Sequence, residues 1–433
     1  MQIGIRYGRG VVNVEVPDQN LAAVLDIQSS TPIADPETAI WSALATPIDS
    51  LSLAELAKDQ QTACVVISDV TRPVPNELIL PPILQTLEAE GIARGQITIL
   101  VATGIHRPNF GAELEEMVGA EIMANYRILN HYSERLETHT DLGTTENGTP
   151  VLIDRTYVEA DLKITTALIE PHLMAGYSGG RKAICPGLAS IETMRIMHGP
   201  EILEHPKAAT GVLAGNPFHV EATEIARMAG VDFTLNITID TQRRLTGVFA
   251  GDLETAHLAG AEFTERQAKA TVSEPADIVL TSCAGHPLDA TFYQAVKGAI
   301  AALDVVKEGG SIVLYAECSQ GIGSGPFTDL ILKTKDLKQF VHDIYDFRNF
   351  VIDQWQLEEL AKVARKAEIY FYAEGIQKDQ QTDLFVEPLD TPQSGIERVL
   401  EKHGLDARII AIPDGPYVLA KLEPEELNKL KEP

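Results

Sequence analysis

Cysteine is scarce in this 433-residue chain: Cys64, Cys185, Cys283 and Cys318 stand far apart, with no C-x-x-C pair. That spacing excludes a disulfide framework and a zinc ribbon and fits free thiols in a reducing compartment. Long apolar runs are missing too. No stretch approaches the roughly 18 uninterrupted apolar residues of a membrane helix. The opening MQIGIRYGRGVVNVEV goes straight into alternating, strand-like sequence without an export signal. Basic residues are few: 35 Lys and Arg face 62 Asp and Glu, a net charge of −27. A field of that sign repels phosphate backbones and anionic lipid, so neither nucleic acid nor a membrane is expected as a partner. A cytoplasmic location is expected, and an anionic ligand would need a local basic pocket.

Familiar site motifs are absent as well. There is no H-E-x-x-H and no Cys/His cluster with metal spacing. GYSGGRK (176–182) lacks the glycine spacing of a phosphate loop, and no Ser or Thr follows Lys182. GIGSGP (321–326) fails G-x-G-x-x-G because Pro326 takes the last glycine position.

What is present is a repeated pattern of apolar, β-branched run, glycine-containing loop and helix-like stretch. TACVVI (62–67), ITILVA (97–102), LKITTALI (162–169), DIVLTSC (277–283), SIVLYAEC (311–318) and EIYFYA (368–373) all read as strands buried on both faces. The expected class is α/β, with mostly parallel sheets. The length exceeds what one core supports, so two α/β domains are expected, 1–272 and 273–405, with the active site in the cleft between them. QAKATVSEPAD (267–277) reads as the linker. Residues 406–433 are assignable to either unit, including by packing back on the first domain, and the tail EPEELNKLKEP reads as a solvated helix with a frayed end.

In open parallel sheets, ligands bind beyond the carboxyl ends of the strands. Asp69, Arg72, His106 and His172 each follow a predicted strand within a few residues, so they are expected to share one sheet edge. Histidine both gives and takes protons near neutrality. GYSGG (176–180) also matches the G-x-S-x-G elbow of serine hydrolases, although EPHLMA separates the strand from the turn. His198, before Gly199-Pro200, reads on spacing alone as a helix-terminal imidazole favoured by the dipole. DATFYQAVKGAI reads as a helix capped near Asp289, with Tyr293, Gln294 and Lys297 close on its surface, either as a solvated first turn or as a carboxylate clamp.

Taken together, SDVTRPVPN, TGIHRPN, PHLMAGYSGGRKAICPG, MHGP and FYQAVKGA resemble the nickel-dependent lactate racemase family, in order and across nearly the whole chain. The resemblance implies that 1–272 binds a nickel-pincer nucleotide, a nickel pyridinium-3,5-bisthiocarboxylic acid mononucleotide, tethered covalently to Lys182. It implies His198 as the protein ligand to nickel, His106 and His172 as the acid/base pair, and Asp69, Thr71 and Arg72 among the cofactor contacts. Arg72, Lys297, Gln294, Tyr293 and Trp355 are implied substrate contacts. The implied reaction is racemisation of a 2-hydroxy acid, with separate cofactor-biosynthesis enzymes for maturation. Lactate is the first choice of substrate. A dicarboxylate such as malate would want a further cation, for which Arg348 in YDFRNF is a candidate, though it reads more simply as a surface ion-pair residue. A serine hydrolase and a non-catalytic binder of an anionic metabolite are the alternatives.

Overall fold

Two six-stranded sheets organise the molecule. The computed structural model describes residues 1–28 and 30–423. The chain divides into two units: 1–28, 199–204 and 267–433 form one, and 29–198 with 205–266 form the other.

In the second of these, the sheet order is Leu245–Gly251, Phe233–Ile239, Leu162–Leu168, Ala63–Ser68, Ile97–Ala102, Arg127–Asn130. All neighbours are parallel except the first pair, which is antiparallel. The central strands are buried along almost their entire length, as runs of Val and Ile require when helices cover both faces. Val65, Ile67, Ile99, Val101 and Ile164 meet Ile79, Ile83 and Leu87 from the helix Asn76–Ala89 in one core.

The other unit carries an all-parallel sheet ordered Glu387–Pro388, Ala367–Tyr372, Val306–Tyr315, Ala276–Ser282, Ile409–Ile412, Leu21–Val24. The class is therefore α/β with large, mostly parallel sheets. Among the described residues, no helix is long and apolar enough to cross a membrane.

The expected boundaries need correcting at both ends of the chain. Residues 1–28 belong with the C-terminal sheet, not with a domain 1–272. Leu21–Val24 pairs with Ile409–Ile412, and Gln2–Tyr7 packs its alternate residues Ile3, Ile5 and Tyr7 on the core of that sheet. A β-hairpin of period two gives no sign in sequence of which distant sheet its apolar face covers. The described part of 406–433 lies in the same unit: Ile409–Ile412 inserts beside Ala276–Ser282, and Leu419–Leu422 pairs with Lys269–Val272. That last pairing also overturns the linker over 267–277, where a helix ends at Ala268 and a four-residue strand follows. The strand is too short to display a period. The tail beyond Glu423 lies outside the described residues.

Asn20 ties the N-terminal segment down. It is 3% exposed, and its amide donates to Leu405 O at 2.7 Å and Ala407 O at 2.8 Å. Asn20→Ala leaves one buried and one partly buried carbonyl without these donors, so urea unfolding should show a loss of about 1–3 kcal/mol with an unchanged m-value.

Candidate functional site

The strands ending at Leu168, Ser68 and Ala102 are consecutive neighbours in one sheet and run parallel, so the loops that follow them emerge along one edge. Glu170 and His172 come from the first, Asp69, Thr71 and Arg72 from the second, His106 from the third. The two imidazoles thus follow the strands on either side of the one that delivers Arg72.

These loops are bonded to one another. His106 Nδ1 lies 2.6 Å from Asp69 Oδ2. Asp69 is 5% exposed, and its other oxygen accepts from the Thr71 hydroxyl at 2.5 Å and the Thr71 amide at 3.2 Å. Burial pushes the Asp69 carboxyl up, but the bonds from His106 and Thr71 and the charge of Arg72 outweigh it and hold it below the usual range. Arg72 Nε is 3.3 Å from a Glu170 oxygen. His172 sits in the two-residue hairpin Pro171–His172 against Gly176–Tyr177, and its Nδ1 accepts from the amides of Met174 and Ala175.

The glycines of the turn answer to packing. Gly176 has φ of +78°, and a Cβ there would come within 2.2 Å of Val212 O. The turn ends in the 3-10 segment Gly180–Ala183, which carries Lys182. Lys182 Nζ stands 4.8 Å from the centroid of the Phe218 ring, and the His198 ring meets the same phenyl edge-on at 5.3 Å. His198 caps the helix Ile191–Met197, as its spacing predicts, and its Nδ1 faces Met194 O at 3.3 Å. A carbonyl only accepts, so Nδ1 carries the hydrogen and Nε2 keeps a lone pair. Burial, reinforced by the positive charge of Lys182, drives its pKa down to about 3. A neutral imidazole with a fixed Nε2 lone pair beside a primary amine suits one metal–nitrogen bond and one covalent tether. Among the described residues no three His, Cys, Asp or Glu side chains converge to hold a metal by themselves. That donor set fits a metal arriving with ligands of its own.

Ser178 is not a nucleophile. It is 4% exposed, and its hydroxyl donates to Leu168 O at 2.8 Å and accepts from the Glu170 amide at 2.9 Å. It pins the turn to the strand end, and the hydrolase reading falls.

In the other unit, Tyr293, Gln294 and Lys297 lie on the helix Phe292–Ala301. Its cap is the Thr291 side chain, and not Asp289. Asp289 instead accepts from the amides of Gly8 and Glu317. Trp355 Nε1 donates to the Tyr293 hydroxyl at 2.9 Å. Tyr293 also meets Phe327 edge-on at 5.1 Å, and burial pushes its hydroxyl well above the ordinary range. Arg348 is exposed and spent on Asp346, two residues away.

Sequence reasoning missed several residues. Glu170 holds Arg72, and Phe218 backs both Lys182 and His198. Arg181 is 2% exposed, donates to Ala175 O at 2.7 Å, and lies 2.7 Å from His257 Nε2, which is also 2.9 Å from Ser178 O. His131, between Asp154 Oδ2 and Ala189 O, ties the segment after Lys182 to the strand ends. Glu170 and Arg181 stood inside stretches already quoted, without a role being given to either.

Comparison with known proteins adds to this geometry. Residues 7–211 match the lactate racemase N-terminal domain, and 271–420 match the lactate racemase C-terminal domain. Lactate racemases of Lactiplantibacillus plantarum and Thermoanaerobacterium thermosaccharolyticum are each 33% identical to the chain, over 97% of it and 99% of each relative. The lactate racemase apoprotein structure from Thermoanaerobacterium thermosaccharolyticum superposes with a TM-score of 0.91, covering 97% of this chain and all of that one at 33% identity. A Thermotoga maritima structure at 19% identity, with a TM-score of 0.68, shares the fold over 92% of this chain and all of that one. The class is an isomerase built on two α/β units. The chain belongs to the lactate racemase family.

The buried imidazoles set a pH dependence. His198 and His257 are held neutral, mainly by burial, with pKa values of about 3 and well below 6.5. In the unfolded chain both protonate near pH 6.5. Below that pH the unfolded state binds protons that the folded state refuses, so the contribution of these two rings to stability falls as pH drops from about 6.5 toward 4, by up to about 1.4 kcal/mol per pH unit for each. Burial pushes the Glu358 and Glu359 carboxyls up, to about 9 and about 7, which acts in the opposite sense over the same range. The imidazole share is therefore read by difference: between pH 7 and pH 5 in urea titrations, the unaltered chain should lose stability relative to His198→Asn.

Proposed function

We propose that the chain racemises lactate in the cytoplasm, using a nickel-pincer nucleotide tethered to Lys182 with His198 as the ligand to nickel. The observation that carries the reading is the placement of two imidazoles after the strands that flank Arg72, with Lys182 and His198 against one phenyl ring. Family membership supports the substrate.

The hydrogen on C2 of a 2-hydroxycarboxylate is a poor acid, because the adjacent carboxylate is already negative. When bound, the cofactor supplies an acceptor for that hydrogen as a hydride, which leaves a planar 2-keto acid. The chain's own residues do the rest. Arg72, carried at 3.3 Å from Glu170, is the guanidinium offered to the substrate carboxylate. One imidazole takes the hydroxyl proton and the other returns a proton, so hydrogen restored to the opposite face of C2 gives the enantiomer. Asp69, Thr71 and Arg72 are carried over as cofactor contacts, and Lys297, Gln294, Tyr293 and Trp355 as substrate contacts. Arg348 is bound to Asp346 in the open, which favours lactate over malate. Maturation requires separate cofactor-assembly enzymes, and no nucleic acid or membrane takes part.

Mass spectrometry of the Lys182 peptide, from chain produced with those enzymes and nickel, should show an added mass. Lys182→Ala should lose both the adduct and the interconversion of D- and L-lactate. An unmodified Lys182 in active protein refutes the tether. Lys297→Ala should raise KM for lactate by roughly 10- to 150-fold, the worth of a charged hydrogen bond, with adduct formation unchanged.

A further inference from the structure

Two imidazoles that serve mirror-image steps would be expected to be held alike. Here they are held in opposite ways. Asp69 is ionised and accepts only, so the hydrogen between it and His106 belongs to His106 Nδ1, at 2.6 Å. The neutral ring then has its lone pair on Nε2. His172 Nδ1 instead faces the amides of Met174 at 3.2 Å and Ala175 at 3.3 Å. Backbone amides only donate, so this Nδ1 is the lone pair and the neutral ring carries its hydrogen on Nε2. For His172 Nε2 to accept a proton, the hydrogen must first move to Nδ1, where two N–H groups already point.

We propose that Asp69 is a positioning residue that fixes His106 as the resting base, while His172 rests in the opposite tautomer and joins the proton relay only when the turn Leu173–Ala175 releases its Nδ1. The proposal rests on the racemase reading and adds that the two halves of the reaction are inequivalent. Asp69 is suited to the task because Thr71 engages its second oxygen twice, which stops the carboxylate from turning away. A substrate hydroxyl presented to His106 meets a lone pair at once. One presented to His172 meets an N–H and waits for the turn to move.

Enantiomers interconvert with an equilibrium constant of one, so kcat/KM is equal in the two directions for every variant. The inequivalence must therefore appear as kcat and KM that differ in parallel between D- and L-lactate.

Ring-nitrogen NMR of the 15N-histidine-labelled chain without cofactor, at about pH 8 where ordinary imidazoles are neutral, reads the tautomers directly. His106→Gln and His172→Gln assign the signals. His106 is expected as the Nδ1–H form and His172 as the Nε2–H form; either ring in the other form overturns the proposal. Asp69→Asn, whose amide can present an N–H, should move the His106 hydrogen to Nε2. With rates normalised to the Lys182 adduct, kcat should fall about 10²- to 10⁴-fold, the usual worth of a general base, with KM changed only a few-fold. Asp69→Glu should recover part of the rate. A normal tautomer together with a normal kcat in Asp69→Asn overturns the proposal, and if that variant does not fold, the spectra of the unaltered chain decide alone. The tautomers are read without cofactor, so absence of racemisation in fully loaded chain sinks the racemase reading. Wrong tautomers in a chain that does racemise sink only this inference.

Discussion

Three strands lying side by side, Leu162–Leu168, Ala63–Ser68 and Ile97–Ala102, are what the candidate site hangs on. Their registers, Ala63 opposite Leu162 and Ile97, align the carboxyl ends so that residues over 100 positions apart in sequence share one edge. Because side chains alternate along a strand, a slip of one residue would move every side chain to the opposite face of the sheet, and the packing already formed on the two faces forbids it. The Asp69–His106 bond and the Arg72–Glu170 pair are consequences of that alignment.

The glycine-rich turn adds a second level of order. A side chain at Gly176 would collide with Val212 O, and one at Gly180 would press on His257. Ser178 and Arg181 bond the turn to the strand end and to its own carbonyls, so the backbone that presents Lys182 is bonded from both sides. Burying a guanidinium without a carboxylate is costly, and burial does pull the Arg181 pKa down to about 9. The arrangement makes sense where a lysine amine must be held in place beside a neutral imidazole.

Much of this was legible in the chain alone. Apolar runs gave the central strands to within a residue or two at most ends, since strands buried on both faces leave an unbroken signature; Ile97–Ala102 is matched at both ends. Placement after those strands gave His106, His172, Asp69 and Arg72 a common edge without any knowledge of relatives. What was not legible depends on long-range pairing. The hairpin at the N-terminus, the strand Lys269–Val272 and the cap at Thr291 each depend on a partner or a turn geometry that local pattern does not encode. Phe218 and Glu170 were missed because a lone aromatic on a helix and a lone acid after a strand look like any other. His198 was read locally as a helix terminus, and it is one; its burial beside Lys182 is a tertiary fact.

The edge strand Leu21–Val24 docks on Ile409–Ile412, so it leaves the ribosome long before the strand it pairs with. At ordinary elongation rates that interval is roughly 20 to 80 seconds. During it a four-residue strand and the apolar side of the preceding hairpin have no sheet to join, while the sheet built from residues 63–251 is made and completed. Vectorial synthesis therefore finishes the unit bearing Lys182 first and seals the other only once Ile409–Ile412 has been made.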